Sequence, residues 1–237
     1  MGGKMNKRQK RKRIKIGSTA KQRKKNRELC ERYPFLIPRN VWTDKAIWDK
    51  DIKKYSITLA DEFPRGWWKA FGLMLCEELR KDLIRCNYLY KFRFNQIKEK
   101  YSHLRCYHNG IPINSNADRI IDKYSNLSEN ICIRCGRPDV SVINYGGWYS
   151  PYCYKCYRDI CRRSERYRKI YNHDFTPMSE DEIFDSYKKS ICGDRKMVDW
   201  FPIHHFTKDG DYVEIIDVSD IAKKIRNHWE GHNGQMR

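Results

Sequence analysis

The stretch ICIRCGRPDVSVINYGGWYSPYCYKC, residues 131–156, decides how the rest of the chain reads. Cys132 and Cys135 have two residues between them, as do Cys153 and Cys156, and seventeen residues separate the pairs. That spacing matches a four-thiolate zinc site. Two cysteines flanking a tight turn place both sulfurs on one side of it. Gly136, directly after Cys135, suits the reversal because it tolerates positive φ. Two facing knuckles supply four soft ligands in a tetrahedron, a geometry that suits Zn²⁺ and also iron. Between the pairs, the turn signal Asn144-Tyr145-Gly146-Gly147 separates 140–143 from 148–152 and reads as a hairpin. The plan is that of a zinc ribbon or treble clef. A closed four-cysteine site keeps no open coordination position, so the expected Zn²⁺, one per chain, is structural. Cys161, five residues after Cys156, reads as a buried thiol or a spare ligand. Cys30, Cys76, Cys86, Cys106 and Cys192 show no pairing and read as core or incidental thiols.

Outside this block the charge is uneven. The 237-residue chain has a formal net charge of +19. Thirteen basic residues and no acid lie within 1–27, which leaves +6 on the remainder. Lys7, Arg8, Lys10, Arg11, Lys12 and Arg13 form the densest part of this arm. Such a segment buries too little apolar surface to offset chain entropy, so residues 1–28 are expected to be a disordered arm. Its expected partner is nucleic acid, DNA or RNA; the plainer reading is a solubilising tail. The basic start runs into more charge instead of an apolar signal region, and the longest apolar run, 70–76, is too short for a membrane span. Ten cysteines without an export signal favour thiols and metal over disulfides. The expected compartment is the cytoplasm.

A helix–hairpin body is expected over 29–130. Pro34 and Pro38 break regular structure among Tyr33, Phe35, Leu36 and Ile37, which call for burial. Over 67–86, Trp67, Phe71, Leu75, Leu79 and Leu83 make a helical stripe opposite Glu77, Glu78, Arg80, Lys81 and Asp82. The alternation of Tyr90, Phe92 and Phe94 with Lys91, Arg93 and Asn95 predicts a strand over 88–97. A second strand is expected over 101–108, with 98–100 as the connection. The aromatic face bordered by Arg93 and Arg105 is either a base-stacking platform or, more simply, sheet core under the helix. Ser115 or Asn116 caps a helix through Ile120, Ile121, Tyr124 and Leu127.

After Cys156, a basic helix carries Arg158, Arg162, Arg163, Arg166 and Lys169, and the zinc ribbon with this helix makes a unit at 131–172. Arg162, Arg166 and Lys169 share a face that is either solvated or aimed at nucleic acid. The remainder, 173–237, reads as a linker and a small tail. It contains a short helix near Pro177, a strand at 212–216, and a helix capped by Ser219 with Ile221, Ile225 and Trp229 on one stripe. The fold class is therefore α+β: a helix packed on a short antiparallel hairpin, with a docked four-cysteine zinc ribbon or treble-clef-like knuckle.

The segments LCERYPFLIPRN (29–40), GWWKAFG (66–72), CEEL (76–79) and QIKEKYSHLRCYHNG (96–110), with the paired cysteines, resemble a family of uncharacterised phage and prophage proteins of Gram-positive bacteria. Its members share Q-I-K-E-K-aromatic-G-x-L-R-aromatic-Y, then a helix, then a four-cysteine knuckle. The similarity spans about residues 29 to 160. Ser102 stands where that family usually has glycine, and Cys106 where it has an aromatic. The resemblance implies a mobile-element origin and a bacterial host cytoplasm, and it carries over no catalytic residue.

Enzyme chemistry finds little footing. No histidine lies between the knuckles; His204, His205, His228 and His232 lie far downstream and read as surface residues. No nucleophile elbow or phosphate-cradling glycine loop is present, and no small-molecule substrate is evident. The expectation is a zinc-stabilised, non-enzymatic nucleic-acid-binding accessory protein of a phage or prophage. The alternative is an adaptor or inhibitor of a host protein, with Trp148, Tyr149 and Tyr152 as anchors. A metal-dependent nuclease is the remote third.

Overall fold

The computed structural model describes residues 19–40, 42–48, 53–171, 176–192 and 219–233. The described residues fall into two compact units, one drawn from 1–62, 76–97 and 106–115, the other from 63–75, 98–105 and 116–237.

The first unit begins with α1 (Ala20–Arg32), capped by Thr19, whose Oγ1 accepts the Gln22 N–H at 3.1 Å. The disordered arm expected through residue 28 therefore gives way to helix at residue 20. One helical turn apart, Asn26 and Cys30 are buried, which supplies the inward face a free arm lacks. Asn26 donates to the Tyr55 carbonyl at 2.8 Å. A 3-10 turn at Pro34–Leu36 then buries Phe35 and Leu36 completely. Phe35 meets Phe92 and Phe94 edge-on at 5.8 and 5.5 Å, and Phe92 meets Phe94 at 5.1 Å. Phe92 and Phe94 are thus core, while Tyr90 at the start of the same alternation is 76% exposed.

The expected 67–86 helix is present and starts slightly earlier. It opens as a short α segment at Arg65–Trp67, widens to a π-helix over Trp68–Gly72, and continues as α2 (Leu73–Arg85). Trp67, Phe71, Leu75, Leu79 and Leu83 are all essentially fully buried. A strict four-residue spacing overshoots the 3.6-residue turn by about 40° at each step. The wider i→i+5 turns take up part of that drift. Gly72 is required there, since a Cβ would lie 2.3 Å from the Trp68 ring.

The hairpin pairs β1 (Phe94–Lys100) with β2 (His103–His108). The first strand starts later than expected, and 98–100, read as the connection, is strand. The connection is Tyr101–Ser102, both at positive φ (53° and 69°). This is the pattern of a two-residue type I′ turn, whose twist matches that of the strands. Residues 88–92 form a turn instead of strand, because the Tyr88 carbonyl accepts both the Lys91 and Phe92 N–H groups.

The second unit holds α3 (Ala117–Ser128), where Ile121, Tyr124 and Leu127 are buried as the periodicity predicts. Tyr124 stacks on Phe71 at 5.4 Å. The cysteine block follows, with β3 (Val142–Tyr145) paired antiparallel to β4 (Trp148–Pro151) in the register Tyr145↔Trp148. Gly146 and Gly147, both at positive φ, form the tight turn. After β4 come α4 (Tyr154–Tyr171) and α5 (Glu180–Ser190). α5 starts with a capping box in which Ser179 and Glu182 exchange hydrogen bonds. α5 is the short helix expected near Pro177, and its Ile183 is buried with Ile143, Tyr157 and Cys161. Just past α5, the Cys192 N–H donates to the Val142 carbonyl.

The last described helix, α6 (Ser219–Asn233), buries Ile225 and packs on the π segment. Lys69 Nζ sits 4.8 Å over the Trp229 ring. The helix continues through Gly231. The strand expected at 212–216 and the six arm cations at 7–13 lie outside the described residues. Among the described residues, no helix is long and apolar enough to cross a membrane.

Candidate metal centre and basic helix

The first cysteine pair sits on a loop that folds back on itself. The Cys132 N–H donates to the Arg137 carbonyl at 2.7 Å, and the Gly136 N–H to the Cys132 carbonyl at 2.8 Å. Gly136 has φ +84°, a conformation favouring glycine. The second pair straddles the start of α4. Cys153 immediately precedes the helix, Cys156 lies in its first turn, and the Tyr157 N–H donates to the Cys153 carbonyl. The β3–β4 hairpin returns the chain from one pair to the other, and the Ile133 N–H donates to the Pro151 carbonyl at 2.9 Å.

The four Sγ atoms lie within 4.8 Å of one another, as the sequence spacing predicts. Cys135 Sγ and Cys153 Sγ are 3.7 Å apart, far beyond a disulfide's roughly 2.05 Å. All four cysteines are free thiols. Cys135 and Cys153 lie within hydrogen-bonding reach, either thiol serving as donor. The close approach of Cys135, then of Cys153 and Cys156, favours the thiolate at Cys132. Cys132 opposes ionisation of Cys135, but the proximity of Cys153 and Cys156 lowers the Cys135 thiol below its ordinary value. Cys153 and Cys156 are pushed up, chiefly by the neighbouring Cys132. The backbone N–H of Cys153 points at Cys132 and that of Arg137 at Cys135. Four thiols packed this closely repel one another as anions, so their full ionisation requires a cation at the centre. The donor set therefore fits a single metal ion.

The clasp behind this centre was not anticipated from sequence. The Gly66 N–H donates to the Ile133 carbonyl at 2.8 Å, and the Trp67 indole N–H to the Ile131 carbonyl at 2.8 Å. A Cβ on Gly66 would lie 2.2 Å from the Cys132 carbonyl oxygen and 2.7 Å from the Gly136 nitrogen. The signal was a glycine in the first turn of a helix, directly before two tryptophans. A glycine there marks a close backbone approach.

Of the cations expected on α4, Arg162 is committed elsewhere. It donates to Glu165 at 2.9 Å, the Met178 carbonyl at 2.6 Å and Glu180 at 2.7 Å. Glu165 is buried and also accepts the Met178 N–H. Arg162 thus joins α4 to α5 instead of facing a ligand, because α5 brings Glu180 beside it. Arg158 lies 3.9 Å from the same Glu180. Arg163, Arg166 and Lys169 are exposed and recur every three residues, so the outward ridge runs through Arg163 where the sequence reading has Arg162.

At the hairpin tip, Trp148 is 78% exposed with Tyr149 and Tyr145 beside it, whereas Tyr152 is partly buried against the cysteine cluster. No protein-family model, curated protein or solved structure matches the chain.

Proposed function

We propose that the protein is a zinc-stabilised, non-enzymatic nucleic-acid-binding protein, an accessory factor of a phage or prophage working in the bacterial cytoplasm. The observation that carries the metal part is the sulfur spacing. Zn–S bonds of about 2.3 Å give a tetrahedron with edges of about 3.8 Å, and Cys135 and Cys153 stand 3.7 Å apart. Cys132, Cys135, Cys153 and Cys156 would hold the ion, which supplies a cross-link and no open coordination site. Knuckle, hairpin and helix starting at the second pair follow the order of a treble clef.

Support for the nucleic-acid part comes from charge. In the first unit, α1 exposes Lys21, Lys24, Lys25 and Arg27. In the second, α4 exposes Arg163, Arg166 and Lys169. These add to the arm cations Lys7, Arg8, Lys10, Arg11, Lys12 and Arg13. Phosphate contacts of this kind give affinity without sequence choice.

A binding titration with single- and double-stranded DNA and RNA at low and high salt tests the reading, with metal content measured on the same samples. The truncated form starts at Thr19, because a later start would cut the Thr19 cap and α1. Binding should weaken steeply with salt, and removal of residues 1–18 should flatten that slope. The exposed Trp148 and Tyr149 favour a second reading, a protein-binding adaptor. Salt-resistant capture of a host protein that is lost in Trp148→Ala, with no nucleic-acid binding by metal-loaded protein, would replace the first reading with the second.

A further inference from the structure

The first unit contains a cleft of about 250 Å³ that has no part in the metal centre. Its apolar floor comes from Cys30, Pro34 and Ile37. Burial, with Asp61 and Glu31 nearby, pushes the Cys30 thiol up to about 12, so the floor carries no charge. Two guanidinium groups, Arg39 and Arg93, line the cleft. Asp44 bridges them: its carboxylate accepts from Arg93 Nε at 2.9 Å and Nη2 at 3.3 Å and lies 3.8 Å from Arg39 Nη1, while Arg93 Nη1 donates to the Tyr90 carbonyl at 2.7 Å. An anionic ligand would take the arginines in exchange for this carboxylate.

Arg39 Nε is buried and has no hydrogen-bond partner among the described residues. The same guanidinium donates through Nη1 to the Asp44 carbonyl at 2.6 Å, so the orphan is the single Nε–H, a buried donor of the kind that calls for a ligand, ion or water. One wall residue, Tyr55, holds left-handed backbone at φ 62°, as does Asp44 beside the two arginines at φ 53°. For a bulky tyrosine this is an outlier, of the kind that clusters at ligand sites. Tyr55 is held by its ring contact with Trp48 at 4.5 Å and by Asn26. On the rim, Tyr90 presents a largely exposed ring. Glu31, the acid on the rim, faces Arg27 at 3.8 Å.

We propose that this cleft is a subsite for one phosphorylated nucleotide unit, its phosphate held by Arg39 and Arg93 and its base stacked on Tyr90. The volume is below that of drug-sized sites, which suits a single nucleotide and excludes a longer ligand from full enclosure. Planar guanidinium forks match phosphate oxygens, and an aromatic face takes any base. The proposal rests on the nucleic-acid reading and gives it a defined contact point.

The test uses the full chain, metal-loaded, at about 0.15 M salt so that diffuse attraction is screened. Inorganic phosphate, adenosine 5′-monophosphate, adenosine and a long oligonucleotide are titrated in turn, with Arg39→Gln and Tyr90→Ala beside the parent. Adenosine monophosphate should bind more tightly than phosphate or adenosine. Tyr90→Ala should weaken it roughly tenfold and leave phosphate unchanged. Arg39→Gln should weaken both phosphate and the nucleotide. Equal nucleotide binding by parent and both variants overturns the subsite, even where the long oligonucleotide still binds through the arm. Tight nucleotide binding in a protein that ignores the oligonucleotide keeps the subsite and overturns the nucleic-acid reading instead.

Discussion

Ser102 occupies the second position of the β1–β2 turn at φ +69°, completely buried, with an Oγ that has no partner among the described residues. Its backbone N–H is satisfied by Glu99 at 2.8 Å, so only the side chain is misplaced. Left-handed backbone costs a non-glycine residue about 1–2 kcal/mol, and the orphan hydroxyl adds to that. Ser102→Gly should therefore stabilise the protein by roughly 1 kcal/mol, after the opposing gain in unfolded-chain entropy. Denaturant midpoints of the two forms check it. Gly66 is the opposite case. Its missing Cβ leaves room for the Cys132 carbonyl and Gly136 nitrogen, both backbone atoms that a rotamer change cannot relieve. Gly66→Ala should destabilise by about 3 kcal/mol, the upper end for overpacking. It should also lower metal affinity, read by competition with a chelator, since the displaced backbone carries a ligand cysteine.

At the scale of elements, α6 is tied to the cysteine module by Arg226, which reaches both oxygens of Asp139 at 2.7 and 2.6 Å. Those hydrogen bonds, against a weaker opposing effect of burial, hold Asp139 below the usual carboxylate range. A lowered carboxylate contributes its stabilisation above the unfolded pKa of about 3.9 and loses it as pH falls through the folded value. Protection of the 219–233 amides should thus persist from neutral pH down to the ordinary carboxylate range and fall below it. Arg226→Gln should lower the same protection already at pH 7 with metal content unchanged. Hydrogen exchange followed by mass spectrometry reads both. The π segment beneath α6 follows from the four-residue spacing of its buried stripe, so it belongs to the element's design.

Over the whole molecule, the cysteine centre links parts that are remote in sequence: the helix start at residues 65–67, the knuckles, β3–β4, α4 and, through Ile183 and Tyr187, α5. Ion binding to such a site is folding free energy, on the order of 10 kcal/mol in small four-ligand modules. A strong chelator should therefore remove one metal per chain and unfold this module. Cys132→Ser should behave as the chelated protein does. Circular dichroism with metal analysis checks both. Retained helical signal at full metal loss would show that packing alone holds the second unit.

Local chemistry was enough to read several features. The CxxC pairs, the Gly146-Gly147 reversal and the Trp67-to-Leu83 stripe each depend on spacing within one segment, and backbone geometry converts spacing directly into direction. The basic ridge of α4 was legible as composition, yet which of its arginines faces outward was not. Arg162 turns inward only because Glu180 arrives beside it on α5. The same holds for α1, whose helix depends on burial of Asn26 and Cys30, and for the strand start at Phe94, which yields to the turn at Tyr88. The Arg39–Arg93 cleft is the clearest case. Its two guanidiniums are fifty-four residues apart in the chain, and only tertiary folding sets them around one carboxylate. Short-range spacing is set by covalent geometry; partners distant in sequence are chosen by burial and charge pairing, which no single segment contains.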